Sequence, residues 1–180
     1  MDVASYQPRD LSGLIAQYQP ELVIVRLYLP WERPSQDHSL AQVASARANG
    51  CDVQGYCWLY RGDRMARVLH EIRWLAVRAQ LDLAPVLWAD IETYEGSMPT
   101  WYALRRYVAE CRAAQLRPGI YSSAEMWRRG GYRNLGPEVL LWAARSGVEP
   151  WAVEPFGGMS LVGHQYQGSP LDVSVFLDAF

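Results

Sequence analysis

The chain has 180 residues, half of them hydrophobic and a fifth charged, which is enough for one domain with a sizeable core. Its formal net charge of −2, with no run of like charge, leaves no basic footprint for a nucleic-acid partner. No stretch approaches the ~20 apolar residues of a membrane-spanning helix, and no basic, apolar leader opens the chain, so action outside a cell implies another export route or a removed segment.

In chain order, DVASY (2–6) reads as a strand and LSGLIAQY as an amphipathic helix. LVIVRLYL (22–29) is a second strand, followed by SLAQVASARANG with helical spacing and a stop at Gly50. DVQGYCWLY (52–60) precedes a longer helix, DRMARVLHEIRWLAVRAQ, with Asp63 as a plausible N-cap and Val68, Ile72 and Leu75 on its core stripe. APVLWADIE (84–92) precedes WYALRRYVAECRAAQ, and RPGIYSS (117–123) precedes a short AEMWRR turn. Three further strands, 139–144, 161–167 and 171–176, follow with little helix between them.

Strand then helix, five times over, predicts parallel βα units. Five such units and three bare strands close into an irregular barrel of the TIM-barrel type, an α/β fold carrying its active residues at the carboxyl ends of the strands. No linker-like tract interrupts the pattern, so residues 1–180 are expected to form a single domain. The three cysteines, Cys51, Cys57 and Cys111, are odd in number and form no CxxC, which indicates neither a disulfide framework nor a zinc site. Trp and Tyr, at 8 and 11 residues against 3 Phe, pair flat apolar faces with polar handles, a chemistry suited to sugar stacking as well as to core packing.

Within LWADIETYEG (87–96), Asp90 and Glu92 interrupt an apolar run two residues apart, so on a strand they share a face. Buried like charges are costly, and a purely structural strand excludes them. Asp2 on the first strand and Asp172 on the last add two more acids, and the first and last strands of a closed barrel are neighbours. Four inward acids at one rim shift one another's affinity for protons and separate a donor from an anion, as glycoside cleavage requires. A divalent metal on the same acids is the rival chemistry. His38, His70 and His164 have no ligand-like spacing to them, and neither metal nor cofactor is expected.

Taken together, these motifs resemble glycoside hydrolase family 25, the lysozymes (N-acetylmuramidases) of phages, bacteria and some fungi. DVASYQ is similar to that family's DVSSYQ, VIVRL to its second strand, ANGCDVQGYCWLY to its third and ADIE to its D-x-E motif; RPGIYSS is similar to GIYTS, LLWAAR to the sixth-strand tryptophan motif and GHQYQGSPLDVSVF to the closing segment. The similarity runs in order from residue 2 to about 176. The segment LYLPWERPSQ, the string YCWLY, Arg145 in place of Tyr and Ser174 in place of Asn depart from the pattern.

The resemblance implies a (β/α)5β3 barrel that hydrolyses the β-1,4 bond between N-acetylmuramic acid and N-acetylglucosamine, with peptidoglycan glycan strands as partner. On that reading Glu92 is the general acid, Asp90 assists the substrate's 2-acetamido group, and Asp2 and Asp172 tune the pair in the same cleft. The ammonium of Met1 beside Asp2 is expected to lower that carboxyl's proton affinity. Tyr56, Trp58, Tyr121, Trp142 and Tyr166 are candidates for glycan stacking or cleft lining, with core packing as the alternative for each, and Gln165 for a hydrogen bond to an N-acetyl or hydroxyl group. The competing class is a glycan-binding or assembly module on the same barrel, such as a phage tail component, but that has no need of all four acids. No GxGxxG or GxxxxGK[ST] follows any strand.

Overall fold

The computed structural model describes residues 1–29, 36–62, 64–83, 86–92, 98–168 and 172–177. The described residues form eight strands and five helices in the order β1 (Asp2–Val3), α1 (Ser12–Tyr18), β2 (Leu22–Tyr28), α2 (Gln36–Ala48), β3 (Asp52–Trp58), α3 (Met65–Arg78), β4 (Leu87–Asp90), α4 (Trp101–Ala113), β5 (Pro118–Ser122), α5 (Ala124–Arg129), β6 (Leu140–Ala144), β7 (Ser160–Gln167) and β8 (Val173–Phe176). The strands hydrogen-bond in sequence order, parallel from β1 to β7, and β8 runs antiparallel to β7. This is the expected α/β architecture of five βα units and three bare strands wound into a nearly closed barrel.

Alternation along each strand builds two cores. Val23, Val25 and Leu27, Cys57, Leu87, Ala89 and Ile91, and Ile120, Leu141 and Ala143 face outward onto the helices. Ile24, Tyr56, Trp88, Tyr121, Leu140 and Trp142 fill the barrel, so much of the Trp and Tyr excess is interior packing. Trp142 meets Trp88 edge-on at 5.7 Å and Tyr121 at 4.5 Å between ring centroids. Their polar handles are satisfied inside: Trp88 Nε1 donates to Gln54 Oε1 at 2.8 Å, and Trp142 Nε1 to Ser174 Oγ at 3.1 Å. Gly119 opens the space for Trp88, since a Cβ there would stand 2.5 Å from the indole.

Helix ends follow the local chemistry. Thr100 caps α4 by accepting from Ala103 N at 3.1 Å, and Ser123 caps α5 through Met126 N at the same distance. Gly50 takes positive φ where α2 stops, as its sequence predicts, whereas Gln19, Gln80 and Gln115 hold left-handed backbone just beyond α1, α3 and α4. Arg47, in the last turn of α2, donates to the carbonyls of Ala79 and Gln80 at 2.8 and 2.7 Å and so closes the end of α3.

Several expectations are corrected. The first strand stops at Val3 rather than residue 6, because Gln7 Oε1 takes the Ala4 N–H at 2.7 Å and folds the chain into a turn. The fourth strand stops at Asp90, so Glu92 lies beyond its end and Asp172 lies just before β8 rather than on it. The N-cap expected at Asp63, the first residues of the fourth strand at 84–85, most of the unusual segment after β2 and residue 171 of the last strand lie outside the described residues. Cys51, Cys57 and Cys111 are buried thiols.

Candidate active site

β4 ends on Asp90, and Glu92 follows two residues later. Trp88 and Asp90 point inward while Leu87, Ala89 and Ile91 pack outward, and the chain keeps this sense for one more step because Ile91 N donates to Tyr121 O at 2.9 Å. Asp90 is 6% exposed, and its Oδ1 is buried with no hydrogen-bond partner among the described residues. Burial pushes the Asp90 carboxyl well above the usual carboxylate range, with Glu92, Asp2 and Asp172 adding to the effect and the Arg26 guanidinium opposing it. Glu92 is also raised, chiefly by burial; Tyr121, as a hydrogen-bond donor, opposes the rise and Asp172 adds to it.

Asp2 and Asp172 come together from the two ends of the sheet. Their carboxyls hydrogen-bond one another, which requires a shared proton. Burial, then Asp172, lifts Asp2 well above its ordinary range. The Met1 ammonium does oppose this, as its proximity predicts, but desolvation of a carboxyl inside the barrel outweighs it. Asp172, raised more modestly and chiefly by burial, is the acceptor of that proton. All four acids therefore sense one another in one place, Asp90 buried and Asp2, Glu92 and Asp172 half-buried, and so close a set of desolvated carboxyls does not ionise all at once. Among the described residues no three His, Cys, Asp or Glu side chains are arranged to hold a metal ion.

The six residues considered for sugar contact divide. Tyr56, Tyr121, Trp142 and Gln165 are buried inside the barrel, where Tyr121 donates its hydroxyl proton to Gln165 Oε1. Trp58 follows Tyr56 on the inward face of β3 and keeps part of its surface open. Tyr166 falls on the opposite face from Gln165, its ring 6.2 Å from that of His164, so it is not brought to the acids.

No protein-family model matches the chain, and a comparison with curated proteins returned no match. Solved structures do resemble it. The modular Cpl-1 endolysin, solved in complex with a peptidoglycan analogue, superposes with a TM-score of 0.67 at 16% identity over 99% of this chain and 54% of its own. The modular autolysin LytC from Streptococcus pneumoniae gives 0.72 at 17% identity over 98% of this chain and 46% of its own. The catalytic domain of endolysin ply40, from bacteriophage P40 of Listeria monocytogenes, gives 0.67 at 14% identity over 99% of this chain and 92% of its own. Each likeness is one of fold. The chain spans about half the length of the modular endolysin and autolysin.

Two residues outside the six also stand at the site. Arg26, on β2 between Val25 and Leu27, points into the barrel, is 9% exposed and donates from Nη2 to Ser5 Oγ at 2.5 Å. Its guanidinium carbon lies 5.8 Å from the centroid of the Tyr6 ring, which is 74% exposed beside the acids. A lone arginine in the apolar run VIVRLYL was the available sequence signal, and a charge there is as anomalous as Asp90 in its own strand. A separate cavity of about 980 Å³ opens between β8 and the amino ends of β2 and β3, and it reaches the acid cluster only at Asp172.

Proposed function

We propose that this chain is a peptidoglycan hydrolase, specifically an N-acetylmuramidase cutting the β-1,4 bond between N-acetylmuramic acid and N-acetylglucosamine, with residues 1–180 as its catalytic unit. The observation that carries the reading is the convergence of Asp2, Asp90, Glu92 and Asp172 on one end of the barrel, with desolvation raising every one of them. The fold shared with endolysins and an autolysin solved with peptidoglycan analogues supports glycan strands as the partner.

In this mechanism the substrate's own acetamide oxygen attacks the anomeric carbon, while Glu92 gives its proton to the departing glycosidic oxygen. The route is one of the exceptions to the two-carboxylate nucleophile scheme. Asp90 Oδ1, buried and without a donor among the described residues, accepts the acetamide N–H and stabilises the positive charge of the cyclic intermediate. Water then adds to the anomeric carbon from the face the leaving group vacated, and Glu92 takes its proton, giving net retention. The free site holds a proton shared between Asp90 and Glu92; Arg26 and the incoming N–H both favour the anion at Asp90, which leaves the proton on Glu92. Asp2 and Asp172 hold their own proton and keep the cluster's charge low.

The test incubates purified protein and its Glu92→Gln variant with peptidoglycan and looks for new reducing ends by mass spectrometry. Reducing N-acetylmuramic acid from the wild type alone is the expected result. Co-sedimentation with walls but no release from either protein would instead make the barrel a glycan-binding module.

A further inference from the structure

Charge is divided unevenly along the chain. Residues 61–133 hold 12 of the 17 basic residues, all of them arginine, but only 8 of the 19 acids, and two of those eight, Asp90 and Glu92, belong to the acid cluster. The rest of the chain carries 5 arginines against 11 acids. The arginines form no long run in sequence, yet α3, α4 and α5 follow the consecutive strands β3, β4 and β5, so the fold gathers them on one flank of the barrel.

Helical spacing shapes that flank into two grooves, one on each side of α4. On α3, Ala66, His70, Arg73 and Val77 stand at i, i+4, i+7 and i+11 and line a groove of about 510 Å³ against Ala113 and Ala114. On α4, Trp101, Arg105, Val108 and Arg112 repeat the same spacing and line a groove of about 270 Å³ against Asn134 and Leu135. Trp74, 43% exposed, edges the first groove, and the guanidinium carbon of Arg78 lies 4.8 Å from its ring centroid.

The cations here are open. Among the described residues no carboxylate pairs with Arg73, Arg105, Arg117, Arg128 or Arg133, all of them exposed. Arg106 pairs with Glu110 and Arg112 with Glu138, but these are surface pairs, weak enough to exchange a carboxylate for another anion. Guanidinium forks match the oxygens of a phosphodiester, while Val77, Val108 and the two indole rings offer apolar surface to aliphatic carbon. A polymer that alternates short polyols with phosphodiesters supplies both. A nucleic-acid duplex is too stiff to follow grooves of this size.

We propose that the α3–α4 flank, with its groove on each side of α4, is a docking surface for a wall-attached polyol-phosphate polymer. The inference rests on the reading of the chain as a wall hydrolase and gives the catalytic unit its own hold on the wall. Both helices begin at the carboxyl end of the barrel and run down its outside, so a polymer on this flank lies beside the cleft and not in it. The acids repel the same polymer, and the opposed charges orient the molecule as it approaches the wall.

The full chain would be titrated with soluble poly(glycerol phosphate) by calorimetry at several salt concentrations. The wild type should bind, and its affinity should fall with salt because the arginines displace the polymer's counter-ions. Arg73→Gln and Arg105→Gln, one from each groove, should together weaken binding about tenfold and lower the slope of log affinity against log salt by about one for each arginine removed. Both positions are exposed, so folding is not at stake. Arg9→Gln removes the same charge outside the flank and should leave the affinity unchanged.

A wild type that fails to bind at low salt overturns the proposal, as does an equal loss in Arg9→Gln, which would make net charge the cause. Duplex DNA bound more tightly than poly(glycerol phosphate) overturns it too and makes the flank a nucleic-acid surface. Muropeptide release from walls stripped of polyol phosphate keeps the two readings apart. There the double variant should match the wild type; a slower variant would place the flank's action at the cleft and overturn the docking role. A wild type that releases nothing from those walls sinks the muramidase reading and leaves the binding result to be judged on its own.

Discussion

Asp2 and Asp172 join the two edges of the sheet through a carboxyl–carboxyl hydrogen bond, at a seam where the described residues of β1 and β8 form no ladder. The contact that brings the ends of the chain together is therefore also part of the acid cluster.

That arrangement sets the sign of the pH dependence of stability. Asp2, Asp90, Glu92 and Asp172 all have folded-state affinities above the ordinary carboxylate range, mainly through burial. Each holds its proton in the folded chain where the unfolded chain has released it, so its contribution is fully present below about pH 4 and is lost as pH rises through the folded values. Asp10 and Glu138 are shifted the other way but lie in solvent. Urea midpoints should fall from mildly acidic to neutral pH, and Asp2→Asn, which still offers Asp172 a donor, should flatten that fall. Midpoints that climb toward neutral pH would contradict the assignment.

Arg26 is expected to keep Asp90 available as an anion. Arg26→Gln removes the charge that opposes protonation of Asp90, so the acid limb of muropeptide release should move to higher pH. On that limb, release should drop about tenfold at fixed pH. A pH–rate profile with an unmoved acid limb would leave Arg26 a structural anchor for Ser5.

Tyr6 separates binding from folding. Its ring is 74% exposed, so Tyr6→Ala should change stability by no more than about 0.5 kcal/mol. If the ring forms part of the glycan platform, KM should rise with little change in kcat, checked on soluble glycan fragments. An unchanged KM would confine Tyr6 to its contact with Arg26.

Gly119 tests the packing of the barrel interior. A Cβ at this position meets both Trp88 and Val86 at well under contact distance. Gly119→Ala should therefore cost about 1–3 kcal/mol in chemical denaturation, the usual range for an overpacked core. A neutral result would mean that Trp88 has room to move.

The sequence by itself determined the order of the elements, because hydrophobic period and turn residues are local signals. It also marked Asp90 and Glu92, since two acids inside an apolar run violate burial on sight. What it did not carry was the sense of each side chain and the company each keeps. Tyr166 and Gln165 are adjacent, yet only Gln165 reaches Tyr121; a period of two does not say which residue faces in, and β7 shifts register against both of its neighbours. Arg26 is a lone charge in an apolar run, but only β2 aims it into the barrel, and Asp2 meets Asp172 only where the two ends of the sheet come round to each other. Protonation was decided last and by the tertiary structure alone, because a carboxyl's hold on its proton depends on burial and on neighbours contributed by distant strands.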